Sequence, residues 1–250
     1  MDEHPISPEA LQDLSQYRSS DVRAKVAQYR GTPVDVLRRL TRDRSYYVRL
    51  CVASNQSTPR DCLVRLLGDG RERVRRAAAG NPTVPADKLA ELARLRWIWA
   101  RVGAASNPST PKTELKRLAC DRSAEVRRSV AENVGAPIEA LKKLSKDPEW
   151  RVRYWVATND GTPGSVLAVL GRDANHSVRE VVADHTNTPS EVLRRLAHDP
   201  TEWVRVLVAT NEWTPPDVLI GLAELPAARH FVGQNPSAPE ALRAEIMLGE

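Results

Sequence analysis

The feature that most constrains this chain is a period of 26 residues. A Val-Arg pair begins at Val22, Val48, Val74, Val126, Val152, Val178 and Val204, and Ala100-Arg101 fills the gap in the series. Eleven positions after each start comes a proline: Pro33, Pro59, Pro85, Pro111, Pro137, Pro163, Pro189 and Pro215. Two leucines then recur at fixed offsets, from Leu37 and Leu40 to Leu219 and Leu222. Self-similarity at a period of this size marks a stacked array, because a unit so small buries a core only against its neighbours. The 250 residues therefore read as one elongated all-α domain, residues 1–250, rather than two globules. Residues 1–21 form an N-terminal partial repeat, 22–225 the regular repeats, and 226–250 a shortened repeat with a C-terminal cap. At interaxial spacings of about 8–10 Å, nine units span roughly 80–90 Å.

Each unit carries two short helical patterns. Helix A opens on sequences such as Thr58-Pro59-Arg60-Asp61. This order predicts a hydroxyl at the N-cap, proline at the first helical position and a carboxylate near the positive end of the helix dipole. Its leucines at proline plus four and plus seven share one face. Small residues follow at plus eight (Ala93, Ala119, Ser145, Gly171, Ala197, Ala223), where close helix packing is expected. Helix B carries V-R-x-x-V-A-x-N. At about 100° per residue the valines and alanine define an apolar arc, and the arginine lies inside it. A charge aimed inward needs a partner. The aspartates just before helix B (Asp43, Asp69, Asp121, Asp147, Asp173 and Asp199) supply one, which predicts an Asp–Arg ladder tying the units together. A row of phosphate-gripping arginines is the competing reading, and their inward placement argues against it. The asparagines that end helix B (Asn55, Asn81, Asn107, Asn133, Asn159, Asn211 and Asn235) suit a left-handed C-terminal cap, and His185 replaces one of them.

The combined pattern V-R-x-x-V-A-x-N-x-x-T-P-x-x-x-L-x-x-L-x-x-D resembles the leucine-rich repeat variant family over roughly residues 7 to 242. That resemblance implies a right-handed superhelical solenoid of about nine two-helix repeats, alternating α- and 3₁₀-helices, with no β-sheet. The pattern is also similar to HEAT-like repeats, where an Asp–Arg ladder is common. A member of the variant family carries an iron–sulfur cluster in an N-terminal cysteine-rich segment. Met1 to Tyr17 contain no cysteine, so no cofactor is carried over.

The repeat breaks in one place. Before the unit at Ala100 the loop reads Ala93-Arg94-Leu95-Arg96-Trp97-Ile98-Trp99, with Leu95 in place of the aspartate. This leaves Arg101 without its expected partner and concentrates Trp and Arg, the usual hot-spot residues of interfaces. Local repacking around Leu95 and the tryptophans is the alternative.

No catalytic constellation stands out: no phosphate loop, no H-E-x-x-H and no nucleophile elbow. An enzyme is not expected. Cys51, Cys62 and Cys120 occupy different repeat offsets and form no C-x-x-C, so they read as small buried hydrophobes, with a Cys51–Cys62 redox pair as the alternative. His176 and His198 read as solvated loop residues. No apolar run approaches the ~18 residues of a membrane span, and no signal peptide precedes the first unit; a cytoplasmic protein without membrane contact is expected. The net charge of +5 and pI near 9.3 permit a polyanionic partner without requiring one.

Two surfaces remain as candidate sites. On helix A, positions about 130° from the leucine face point outward and carry a basic stripe: Arg38, Arg39, Arg65, Lys116, Arg117, Lys142, Lys143, Arg194 and Arg195. On helix B, the second and third positions after each start hold Leu50-Cys51, Val102-Gly103, Tyr154-Trp155, Val181 and Val206-Leu207, beside a polar column at the sixth. Apolar surface there is either lateral contact between units or a groove for a partner. The expected partner-binding set is Trp97, Trp99, Arg101, Trp150, Tyr154, Trp155, Trp203 and Leu207. The leading expectation is a non-catalytic scaffold that binds a protein or peptide on the helix-B face. The alternative is nucleic-acid binding through the basic stripe and interleaved tryptophans, with HEAT-like DNA-binding architecture as the analogue.

Overall fold

The computed structural model describes residues 6–249, and among these it contains nineteen α-helices and no strand. They fall into two compact units, one ending at Gly135 and one beginning at Ala136. In the first, α1 (Pro8–Leu14), α2 (Ser20–Gln28), α3 (Val34–Leu40), α4 (Tyr46–Ser54), α5 (Arg60–Leu66), α6 (Glu72–Gly80), α7 (Ala86–Ala93), α8 (Ile98–Ser106), α9 (Lys112–Leu118) and α10 (Ala124–Glu132) alternate between helix A and helix B. The second continues the alternation through α11 (Ile138–Leu144), α12 (Trp150–Thr158), α13 (Gly164–Leu170), α14 (His176–Asp184), α15 (Ser190–Leu196), α16 (Glu202–Thr210), α17 (Pro216–Ala223), α18 (Pro226–Gln234) and α19 (Glu240–Gly249).

Within each unit the B helices pack side by side, and each A helix lies against the B helices that flank it. The helix-B valines and alanine (Val48, Val52, Ala53 and their counterparts, except the half-buried Val22) and the helix-A leucines (Leu37, Leu63, Leu89, Leu115, Leu141, Leu167, Leu193, Leu219) are buried. Each such leucine contributes about 1.5–3 kcal/mol of transfer free energy, which is why the leucine spacing tracks the period so strictly. Leu14 is the exception: it stands half-open on α1, the first helix of the array.

Close packing at the small positions of helix A is real. A Cβ added at Gly171 would come within 2.8 Å of Val192 Cγ1 and 2.9 Å of Arg195 Nη2. Helix A is α-helical for about two turns and then tightens: Cys120 N–H donates to Arg117 O and Asp121 N–H to Leu118 O, both i to i−3 bonds. Bonds of 3₁₀ type thus occur at helix ends, here and in the first turn, where Ala140 N–H donates to Pro137 O at 2.8 Å, while every described helix is α-helical in its body.

Two local expectations are corrected. The threonine before helix A is not its N-cap. Proline occupies that position with an extended backbone and no side-chain cap bond. The threonine is buried in the B-to-A turn, where the last carbonyls of helix B lack donor partners. Its hydroxyl satisfies one of them instead: Thr58 donates to Val52 O at 2.6 Å and Thr188 to Val182 O at 2.6 Å. Nor does the asparagine adopt the left-handed region; Asn55 has φ −75° and ψ 123°, and no non-glycine residue described has positive φ. It bonds across repeats instead. Asn107 Nδ2 donates to Ala79 O at 2.7 Å and Asn81 O at 2.8 Å, both in the preceding repeat, while its Oδ1 accepts from Ser109 N–H at 2.9 Å. Asn81, Asn211 and Asn235 do the same. His185 reproduces the arrangement in part: Nδ1 accepts from Asn187 N–H at 3.0 Å, so the proton sits on Nε2, 3.3 Å from Asn159 O.

Candidate functional site

The inward arginines set the frame for both candidate surfaces. Arg23, Arg49, Arg101, Arg153 and Arg179 each place Nε and Nη2 on the two oxygens of an aspartate 20 residues further on, in the following repeat. Each Nη1 donates to carbonyls at the start of its own repeat, as Arg153 does to Asp147 O at 2.7 Å. The ladder is therefore bidentate and runs forward. Burial raises the Asp43 carboxyl, but the Arg23 fork, the Ser45 N–H and the charges of Arg23 and Arg49 outweigh it and hold it below the usual carboxylate range. Asp69, Asp121, Asp173 and Asp199 are held low in the same way.

This direction moves the consequence of Leu95. Arg101 is not an orphan: it pairs with Asp121 at 2.6 Å, its side chain is 16% exposed, and it is removed from the candidate interface. The arginine that lost its carboxylate is Arg75. Its Nη1 keeps Asp69 O at 2.6 Å, its buried Nε has no hydrogen-bond partner, and its guanidinium lies 4.7 Å above the Trp99 ring. Trp99 thus replaces the missing aspartate by a cation–π contact, and it too is structural.

Of the remaining expected residues, Trp97 is 50% exposed on the rim of α8, under Arg96 at 4.3 Å. Trp150, Tyr154 and Trp155 form a chain of edge-on contacts along α12, with centroids 6.5 and 5.7 Å apart. Trp203 on α16 is 54% exposed. Leu207 is half-buried on the same helix. The third position of helix B is occupied in α12, α14, α16 and α18 by Trp155, Val181, Leu207 and Phe231, all half-buried and all beside the exposed polar column Thr158, Asp184, Thr210 and Gln234. Phe231 escapes sequence reading because the last repeat is two residues short; Arg229 is the marker that restores its register. In the first unit the same column is Lys25, Cys51, Ala77, Gly103 and Ser129. There Cys51, Gly103 and Ser129 close into the seam between B helices, a Cβ on Gly103 lying 2.4 Å from Ala79 Cβ, while Ala77 is half-buried and Lys25 is exposed. Cys51, Val102 and Val206 are buried likewise, so this part of the expected groove is lateral contact.

The basic stripe is also uneven. Arg38 and Arg194 pair with Asp61 and Asp217 of the next repeat. Arg117 holds Glu114 at 2.9 Å and caps Ala93 O, while Arg39 donates to Gln12 O at 3.1 Å. Arg195 leaves the stripe altogether, folding against Gly171 with Nε and Nη2 buried and unpartnered. Arg65, Lys116, Lys142 and Lys143 are exposed.

Cys51 and Cys62 are buried free thiols, whereas Cys120 is exposed, against expectation. Burial pushes the Cys51 thiol up. His176 opens α14 rather than a loop and meets Glu180 at 3.0 Å. Among the described residues, no group of three or more His, Cys, Asp or Glu is placed to hold a metal ion, and no helix is long and apolar enough to cross a membrane.

Comparison with known proteins places the chain. It is 30% identical to a solved protein described as a leucine-rich repeat variant with a novel repetitive structural motif, over 81% of this chain and 80% of that one, with a TM-score of 0.52. The chain belongs to the leucine-rich repeat variant family. The leucine rich repeat variant sequence profile matches residues 177–201, from α14 through α15. The chain is also similar to the YibA protein of Escherichia coli, at 17% identity over 93% of this chain and 97% of that one, with a TM-score of 0.46. No curated protein matches the sequence. For the leucine-rich repeat variant fold described here, the repeat-scaffold architecture is compatible with a role in protein interaction.

Proposed function

We propose that this leucine-rich repeat variant is a non-catalytic scaffold that binds a protein or peptide segment on the helix-B face of its second unit. The observation that carries this reading is the half-exposed apolar column Trp155, Val181, Leu207 and Phe231, with Trp203 standing 54% exposed beside it. An apolar residue at the same offset on four successive B helices, never fully buried, favours association over solvation. Two large aromatics supply the anchors that dominate such interfaces, each worth about 2 kcal/mol or more on truncation.

The test is affinity capture from native lysate, with and without nuclease, using the intact chain and the Trp155→Ala/Trp203→Ala variant. Capture that survives nuclease and drops at least tenfold in the variant, with unchanged far-UV circular dichroism, supports the reading. Capture abolished by nuclease, or equal in the variant, overturns it.

A further inference from the structure

The outer face of the first unit carries a concentration of positive charge that the fold does not require. Between α3 and α5 lies a groove of about 720 Å³ lined by Arg38, Arg39, Arg42 and Arg65, with Asp61 as its one carboxylate. Four guanidiniums against one carboxylate leave three net positive charges. Arg38 is held by Asp61, and Arg39 is fixed by its bond to Gln12 O at 3.1 Å. Arg42 and Arg65 have no side-chain hydrogen bond or ion pair, and they also line the adjoining depression with Asp43 and Asp69, whose oxygens the inner ladder already occupies. By contrast, five inner arginines hold aspartates, and Arg194 holds Asp217.

The second unit supplies an internal control. Six periods later the same groove lies between α15 and α17, where Arg194, His198, Asp217 and Gly221 stand at the places of Arg38, Arg42, Asp61 and Arg65. That groove folds with histidine and glycine at the two positions and is smaller, about 320 Å³. Repeat packing therefore does not demand Arg42 or Arg65. Placing like charges together is unfavourable by about 1 kcal/mol per pair at 4 Å even in water, and an anion relieves it.

We propose that the α3–α5 groove is a binding site for a polyphosphorylated ligand. Planar guanidinium forks match phosphate oxygens in a bidentate way. A charge of three distinguishes a multiply phosphorylated ligand from a single carboxylate, which would leave two charges uncompensated. The phosphates of a small polyphosphate and of a single-stranded nucleic acid present the same chemistry.

The experiment is calorimetric titration of the 250-residue chain with inorganic tripolyphosphate at low and moderate salt. Binding that weakens with salt, falls at least tenfold in Arg42→Gln/Arg65→Gln, and is unchanged in Arg194→Gln/His198→Gln supports the site. Both variants alter exposed side chains, and unchanged thermal melts confirm their folding. No binding, or equal affinity in the Arg42→Gln/Arg65→Gln variant, or equal loss in the control variant, overturns the proposal. A single-stranded oligonucleotide titrated in parallel assigns the source. Tighter binding with a steeper salt slope, dependent on Arg42 and Arg65, identifies a nucleic-acid backbone; binding no tighter than tripolyphosphate identifies a small polyphosphate.

Discussion

Asn107→Ala is the sharpest test of how the repeats are held together. Asn107 is 0% exposed and makes three hydrogen bonds, two to carbonyls of the preceding repeat and one from Ser109 N–H. Alanine removes the donor and the acceptor and leaves their partners in place. Asn81 O retains Val84 N–H at 3.1 Å, so it is only partly stranded. Ala79 O and Ser109 N–H lose the partners named above. A buried group left unsatisfied costs about 1–3 kcal/mol, and a bond to a carbonyl that keeps another donor contributes about 0.5–1.5. Ser109 is exposed, so its N–H takes the smaller figure, and the loss is about 2–6 kcal/mol, or roughly 4–24 °C in melting temperature for a chain of this size. Thermal melts by circular dichroism measure it, and amide exchange at Ser109 reports the local opening. Ser106→Ala is the control, because its exposed hydroxyl bonds only Val102 O of its own helix. An Asn107→Ala loss below about 1 kcal/mol, or one matched by Ser106→Ala, would refute the inter-repeat role. The same reasoning runs in reverse at His185, whose imidazole donates only one bond to the preceding repeat. His185→Asn is expected to stabilise by about 0.5–1.5 kcal/mol.

Leu95→Asp restores the carboxylate that Arg75 lacks and is expected to raise the melting temperature by about 2–4 °C, for about 1 kcal/mol; a fall, or no change in Trp99 fluorescence as the guanidinium leaves its ring, counts against the forward ladder. The ladder also fixes the acid response. Asp43, Asp69, Asp121, Asp173 and Asp199 are held below their ordinary values when folded. Their contribution is complete above the unfolded value of about 3.9 and disappears as pH drops through the lower folded values. Melting temperature should stay level from neutral pH to about 5 and drop steeply below about 4; a decline that starts near pH 6 would show that other groups control acid stability.

Much of the architecture is legible in the residues alone. The period places every helix, the leucine and valine offsets name the buried faces, and an inward arginine beside a recurrent aspartate implies a bridge. These follow from local geometry, since helical angle and the aversion of apolar side chains to water operate within one repeat. The candidate site is legible only in part. Trp155, Leu207 and Trp203 stand out as large residues at surface offsets, yet the same offsets at Cys51, Val102 and Gly103 are seam, and Phe231 is hidden by the shortened repeat.

What tertiary structure decided is the register between repeats. Asp121 serves Arg101 and not Arg127's own loop alone, Asn107 reaches back to Ala79, Thr58 turns to Val52, and Arg75 rather than Arg101 rests on tryptophan. A strict period makes the forward and the own-repeat pairings identical in sequence wherever successive repeats offer the same aspartate at the same offset. Only the rise and rotation of one helix pair on the next choose between them, and those are set by side-chain volumes meeting across the seam, such as Gly103 closing on Ala79.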